Sequence, residues 1–118
     1  MATVLVVDDD ETIRRLISRL LEGSDFEIIG EAVDGESAVS AASESVPDVI
    51  VLDHMMPGMT GLEAAALILA ERPDQLIVLF TAHPDRPLFD RAHELGIAAC
   101  ITKTDVMTLR DVLATVVD

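Results

Sequence analysis

Thr3-Val4-Leu5-Val6-Val7-Asp8-Asp9-Asp10 is the stretch that decides the fold. Five residues that are apolar or β-branched run without a break and stop on three carboxylates. A strand with one wet face alternates apolar and polar side chains; an unbroken run is buried on both faces, the habit of parallel sheets. The pattern recurs downstream. Asp48-Val49-Ile50-Val51-Leu52 is again apolar and again ends in an aspartate, Asp53. Residues 76–80 form a fourth run closing on Thr81, and residues 98–102 a fifth ending at Lys103. Residues 26–33 give a weaker second strand, broken by Asp34-Gly35.

Helical patterns fill the intervals. Ile13, Leu16, Ile17, Leu20 and Leu21 recur at helical spacing, with Arg14, Arg15 and Arg19 off that stripe and Gly23 as a stop. A small-residue helix over about 36–45 cannot pass Pro47, and an Ala/Leu-rich helix over 62–71 ends before Pro73. Pro87 suits the first turn of a helix over 87–95. A last helix is expected from about Asp105, with Val106, Leu109, Leu113 and Val116 on one face. Met55-Met56-Pro57-Gly58 reads as a loop. Five βα units in sequence predict a doubly wound, three-layer α/β sandwich and are too few for an eight-stranded barrel.

Composition narrows the partners. The 118 residues carry 8 Lys+Arg against 22 Asp+Glu, a net charge of −14. Such a surface repels phosphate backbones and anionic lipid, so direct nucleic-acid or membrane binding is not expected. Half of the residues are hydrophobic, with no Trp or Tyr and three Phe, so the core must be aliphatic. One Cys excludes an internal disulfide and any multi-thiolate metal site. No leader-like segment and no membrane-spanning run is read, and the expectation is a cytoplasmic chain whose residues 1–118 form one domain.

In open α/β sheets the site lies outside the carboxyl ends of the strands. The residues there are Asp8-Asp9-Asp10, Asp53, Thr81 and Lys103, the only lysine. Two carboxylates about 4 Å apart repel by roughly 4 kcal/mol at an effective dielectric near 20. A hard cation relieves that repulsion, and an all-oxygen donor set suits Mg²⁺. An ionised carboxylate is already a nucleophile, so a cation, a carboxylate, a hydroxyl and an ammonium together form an apparatus for phosphoryl transfer. Each piece also has a plainer reading. The three aspartates favour a helix start, Thr81 suits a strand, and Lys103 suits the surface. Cys100 suits the core as a small hydrophobe. His54, His83 and His93 show no ligand spacing and read as surface or loop residues.

Taken together, these residues resemble the receiver domains of bacterial two-component response regulators. Leu52-Asp53-His54-Met55-Met56-Pro57-Gly58-Met59-Thr60-Gly61 is similar to the family's phosphoacceptor segment. Val6-Val7-Asp8-Asp9-Asp10, Phe80-Thr81-Ala82 and Thr102-Lys103 are similar to its acidic, hydroxyl and lysine positions. The resemblance implies a flavodoxin-like (βα)5 fold with strand order 2-1-3-4-5. It implies that Asp53 is phosphorylated and that Mg²⁺ is bound directly by Asp9, Asp53 and the main-chain carbonyl of Met55, with Asp8 acting through a water. Lys103 would hold the phosphoryl group and Thr81 would hydrogen-bond it. The donor would be a histidine kinase or histidine phosphotransfer domain. The face formed by helix 4, strand 5 and helix 5 would pass the signal to an output domain or effector, with homodimerisation on phosphorylation a further arrangement. Such a chain modifies only itself and is not an enzyme with a separate substrate.

Three departures stand out. Cys100 occupies the family's aromatic switch position, Thr104 replaces a proline after the lysine, and Met55 and His83 stand at positions that tune dephosphorylation. The first two motivate an alternative, an interaction module with the receiver fold that works without phosphorylation. A flavin protein would need a Gly/Ser/Thr-rich loop where Asp8-Asp9-Asp10 stands. A haloacid-type phosphatase would want an aspartate where Met55 stands.

Overall fold

Successive side chains of a strand point to opposite faces, so a strand that is apolar throughout needs cover on both sides. The computed structural model, which describes residues 1–118, supplies that cover. Its strands are β1 (Ala2–Val7), β2 (Phe26–Ala32), β3 (Val49–Asp53), β4 (Leu76–Thr81) and β5 (Ala99–Thr102). They form one parallel sheet of order β2-β1-β3-β4-β5. The helices are α1 (Glu11–Leu21), α2 (Gly35–Ser45), α3 (Gly61–Glu71), α4 (Arg86–Leu95) and α5 (Leu109–Val117). Edge strand β2 is half-exposed, and its register with β1 slips between Val4 and Leu5, leaving Ile29 unpaired.

The sheet divides two cores by simple alternation. Leu5, Val7, Ile50, Leu52, Ile77 and Leu79 face α2, α3 and α4, whereas Val4, Val6, Val49, Val51, Val78 and Phe80 face α1 and α5. Val51 is only 1% exposed and Leu79 not at all, and fully burying such a side chain is worth about 1.5–3 kcal/mol. No helix is long and apolar enough to cross a membrane.

Four helices leaving the carboxyl edge are started by side chains. Asp10 caps α1 by accepting from the Thr12 amide, Asp34 and Ser37 close a capping box on α2, and Asp85 accepts from the Leu88 amide. Thr60 and Glu63 form a second capping box at α3. Thr60→Ala is expected to destabilise the protein by about 1 kcal/mol in urea titration, and Thr60→Ser to retain most of that stability.

The last segment differs from expectation. Lys103–Thr108 forms a 3₁₀ turn, and α5 starts only at Leu109. Thr102 Oγ1 donates to Asp105 Oδ2 and contacts Thr104 Oγ1, local bonds that compete with a regular helical start. Val106 therefore packs on the α5 side of the sheet from the 3₁₀ turn rather than from the helix. All peptide bonds are trans.

Candidate metal centre

Parallel strands deliver their carboxyl ends to one edge, and strand order sets which ends are neighbours. β1 lies beside β3, so Asp8 and Asp9, which follow β1, stand next to Asp53, the last residue of β3. One carboxylate oxygen from each of Asp8, Asp9 and Asp53 lies within 4.8 Å of the others. Asp8 and Asp53 are buried and Asp9 is exposed. Thr81 ends β4 and is fully buried, with Oγ1 accepting the His83 amide at 3.2 Å. That leaves the hydroxyl proton free to be given.

Lys103 follows β5, two strands from Asp53 and three from Asp8, and reaches back across β4. Its Nζ lies 2.8 Å from Asp8 Oδ2 and 3.3 Å from Asp53 Oδ1. On the way the ammonium passes 5.7 Å from the centre of the Phe80 ring, within range of a cation–π attraction. Both carboxylate oxygens lie at ion-pair distance from this one ammonium, the Asp8 contact being the closer.

Three carboxylates thus face one ammonium. Burial first, then the charge on Asp8, pushes Asp53 up from 3.8 to about 6, with Lys103 opposing both. Burial works against the charge on Lys103, but the contacts with Asp8 and Asp53 outweigh it and hold the ammonium above its usual value. The acids retain a net negative charge that one lysine cannot neutralise. Oxygen-only donors, two of them buried with the Lys103 ammonium as their one shared partner, suit a hard divalent cation such as Mg²⁺.

The flanking residues sort themselves. Asp10 is exposed and serves as the α1 cap, with no ion pair to Lys103. Met55 exposes its side chain, while Met56 is buried. Cys100 is half-buried against the core on the α2–α4 side, and burial raises its thiol pKa. His83 and His93 are exposed, as expected. His54 is more than a loop residue: its carbonyl accepts the Gly61 amide at 2.9 Å and its Nδ1 faces the Leu62 amide at 3.4 Å. Burial, then Arg91, lowers its pKa, so the neutral ring can act as acceptor.

Two contributors escaped sequence reasoning. Arg14 lies off the apolar stripe, yet its side chain is only 15% exposed and bonds to the main chain of Asp8. Phe80 reads as ordinary core but also lies beneath Lys103. A hollow of about 750 Å³ between α3 and α4, lined by His54, Leu62, Asp85 and Arg91 among others, contains none of the clustered acids. Charge and donor geometry, not concavity, mark the site.

A parallel sheet of order 2-1-3-4-5 with acids and a lysine at its carboxyl edge defines the flavodoxin-like class of α/β sandwich. Within it, the chain belongs to the response regulator receiver domain family, whose model matches residues 4–114. It is 38% identical over 104 residues to response regulator GacA of Pseudomonas viridiflava, covering 87% of this chain and 49% of that one. Among solved structures, a LuxR-family two-component response regulator from Aurantimonas sp. SI85-9A1 superposes with a TM-score of 0.94 at 28% identity, over 99% of this chain and 85% of that one. Chemotaxis protein CheY4 of Vibrio cholerae gives 0.89 at 29% identity, over 98% of each chain. The chain spans about half the length of the curated relatives it matches.

Proposed function

We propose that this receiver domain is a Mg²⁺-dependent phosphoacceptor switch in which Asp53 carries the phosphoryl group. The observation that carries the reading is the buried convergence of Asp8, Asp53 and Lys103, with Asp9 beside them. Asp9, Asp53 and the Met55 carbonyl would hold the cation directly, and Asp8 through a water. When bound, Mg²⁺ supplies charge neutralisation for the acids and for the oxygens of the incoming phosphoryl group.

The chain's own residues do the rest. Asp53, pushed up only to about 6, is mostly ionised at neutral pH and needs no general base. Its carboxylate oxygen forms the new bond to phosphorus. The phosphorus–nitrogen bond of a donor phosphohistidine breaks, and its electron pair returns to the imidazole. Lys103 moves from pairing carboxylates to pairing a phosphoryl oxygen, and the Thr81 hydroxyl donates a hydrogen bond to another. Water attack at phosphorus later releases phosphate and restores Asp53.

The donor is a histidine kinase or histidine phosphotransfer domain. The α4–β5–α5 face signals to an output domain or effector, and phosphorylation can drive homodimerisation through it. Residues 1–118 constitute one receiver domain, and the greater length of the relatives leaves room for an output domain outside it. The protein works in the cytoplasm and acts on itself alone. Cys100 has no ring to swing, so switching runs through the Thr81–His83 backbone rather than through an aromatic rotor.

Incubation with Mg²⁺ and acetyl phosphate should add the mass of one phosphoryl group to the intact protein, and none to Asp53→Asn. An unmodified parent protein, or an equal adduct on the variant, overturns the reading and favours a module that works without phosphorylation.

A further inference from the structure

We propose that Arg14 is a positioning residue of the metal centre, its guanidinium locking the peptide unit that joins Asp8 to Asp9. The proposal rests on the reading of these acids as a Mg²⁺ site. Arg14 Nη1 donates to the Asp8 carbonyl at 2.7 Å, and its Nε donates to Glu31 Oε1 at 3.0 Å. Arg15, the next residue, is 77% exposed and makes only an i,i+4 pair with Glu11. Arg14 is withdrawn from solvent to 15%, a desolvation that the carbonyl and carboxylate offset together.

The grip falls at a telling place. β1 ends at Val7, so the Asp8 carbonyl has left the ladder. That carbonyl belongs to the amide whose nitrogen is that of Asp9. Asp8 is fixed in other ways too: its amide donates to the Ala32 carbonyl at 3.1 Å, and its Oδ1 accepts the Asp10 amide at 2.9 Å. Exposed Asp9 has no such ties, so the plane of the preceding peptide sets where its carboxylate points. Glu31 stands on β2 opposite Val6 of β1, and it holds the Nε edge of the guanidinium to the neighbouring strand. A lysine can pair with one of these acceptors but cannot span both as a planar fork does.

The sign of the effect separates positioning from simple electrostatics. Removing a positive charge beside an acidic site should tighten cation binding, whereas losing the clamp should weaken it. Calorimetric titration of the metal-free protein with Mg²⁺ decides between them, with Arg14→Gln, which loses charge and clamp, and Arg14→Lys, which keeps the charge. Both variants are expected to bind Mg²⁺ about tenfold or more weakly, the range typical when an outer-shell partner is lost. The Asp10 amide should also exchange its hydrogen faster in both metal-free variants. Unchanged affinity in Arg14→Lys, or tighter binding in Arg14→Gln, overturns the proposal. The parent protein and Asp9→Ala serve as references. If the parent protein does not bind Mg²⁺, the site reading itself fails and the clamp with it. If it binds and Asp9→Ala does not, the site stands, and the Arg14 variants judge the clamp alone.

Discussion

Metal-free Asp53→Asn is expected to be more stable than the parent protein at about pH 7.5, by at most about 3 kcal/mol. Asp53 is 1% exposed and sits beside Asp8, and its carboxyl titrates near 6 rather than 3.8. A raised carboxyl pKa means that the folded chain holds the proton more tightly than the unfolded chain does. That contribution is fully present below about pH 4 and is lost as pH rises through about 6. Above that range the parent protein carries a strained buried charge, at about 1.4 kcal/mol for each tenfold difference in proton affinity between the folded and unfolded chain. Asparagine fills nearly the same volume without charge. Urea titrations at a series of pH values should show the gap closing between pH 6 and 4. Saturating Mg²⁺ should reverse it, because only the intact acid cluster gains binding energy. A gap that is absent, or constant with pH, would show that Lys103 already relieves Asp53 in full.

Gly61→Ala is expected to cost about 3 kcal/mol or more and to impair phosphorylation of whatever protein still folds. A Cβ on Gly61 would overlap the carbonyl oxygen of Asp53 and lie 2.7 Å from His54 Cα. Both are main-chain atoms of the segment that carries the phosphoacceptor, and neither can rotate away. The Gly61 amide also donates to the His54 carbonyl, so the clash and the bond that closes the loop occur at one point. Gly58→Ala is the control. Its Cβ meets nothing within 4 Å, and only its positive φ of 78° is penalised, so its expected cost is about 1 kcal/mol. Equal costs for the two substitutions would mean that the β3–α3 loop yields more readily than its packing indicates.

The layered fold was legible because apolar runs such as those of β1 and β3 have no polar face and can only lie inside a parallel sheet. Asp53 and Lys103 were legible because they stand where such strands end. The start of α5 was not, because hydrophobic spacing through Val106 and Leu109 fits a helix and a 3₁₀ turn alike, and the bonds of Thr102 that separate them are local. Arg14 was hidden for a different reason. Its acceptor is a main-chain carbonyl, which leaves no mark in the identity of any residue, and its other partner lies 17 positions away on β2. The unpaired Ile29 was equally silent, since register along an edge strand depends on neighbours that periodicity does not name.

The reach of Lys103 across β4 has a practical consequence for labelling. Residues 1–118 hold a single ε-amine, and its two carboxylate partners keep it protonated and therefore unreactive toward activated esters. A fluorophore ester applied at mildly alkaline pH should therefore label Lys103 slowly in the folded protein and faster once urea unfolds the chain and parts the amine from Asp8 and Asp53.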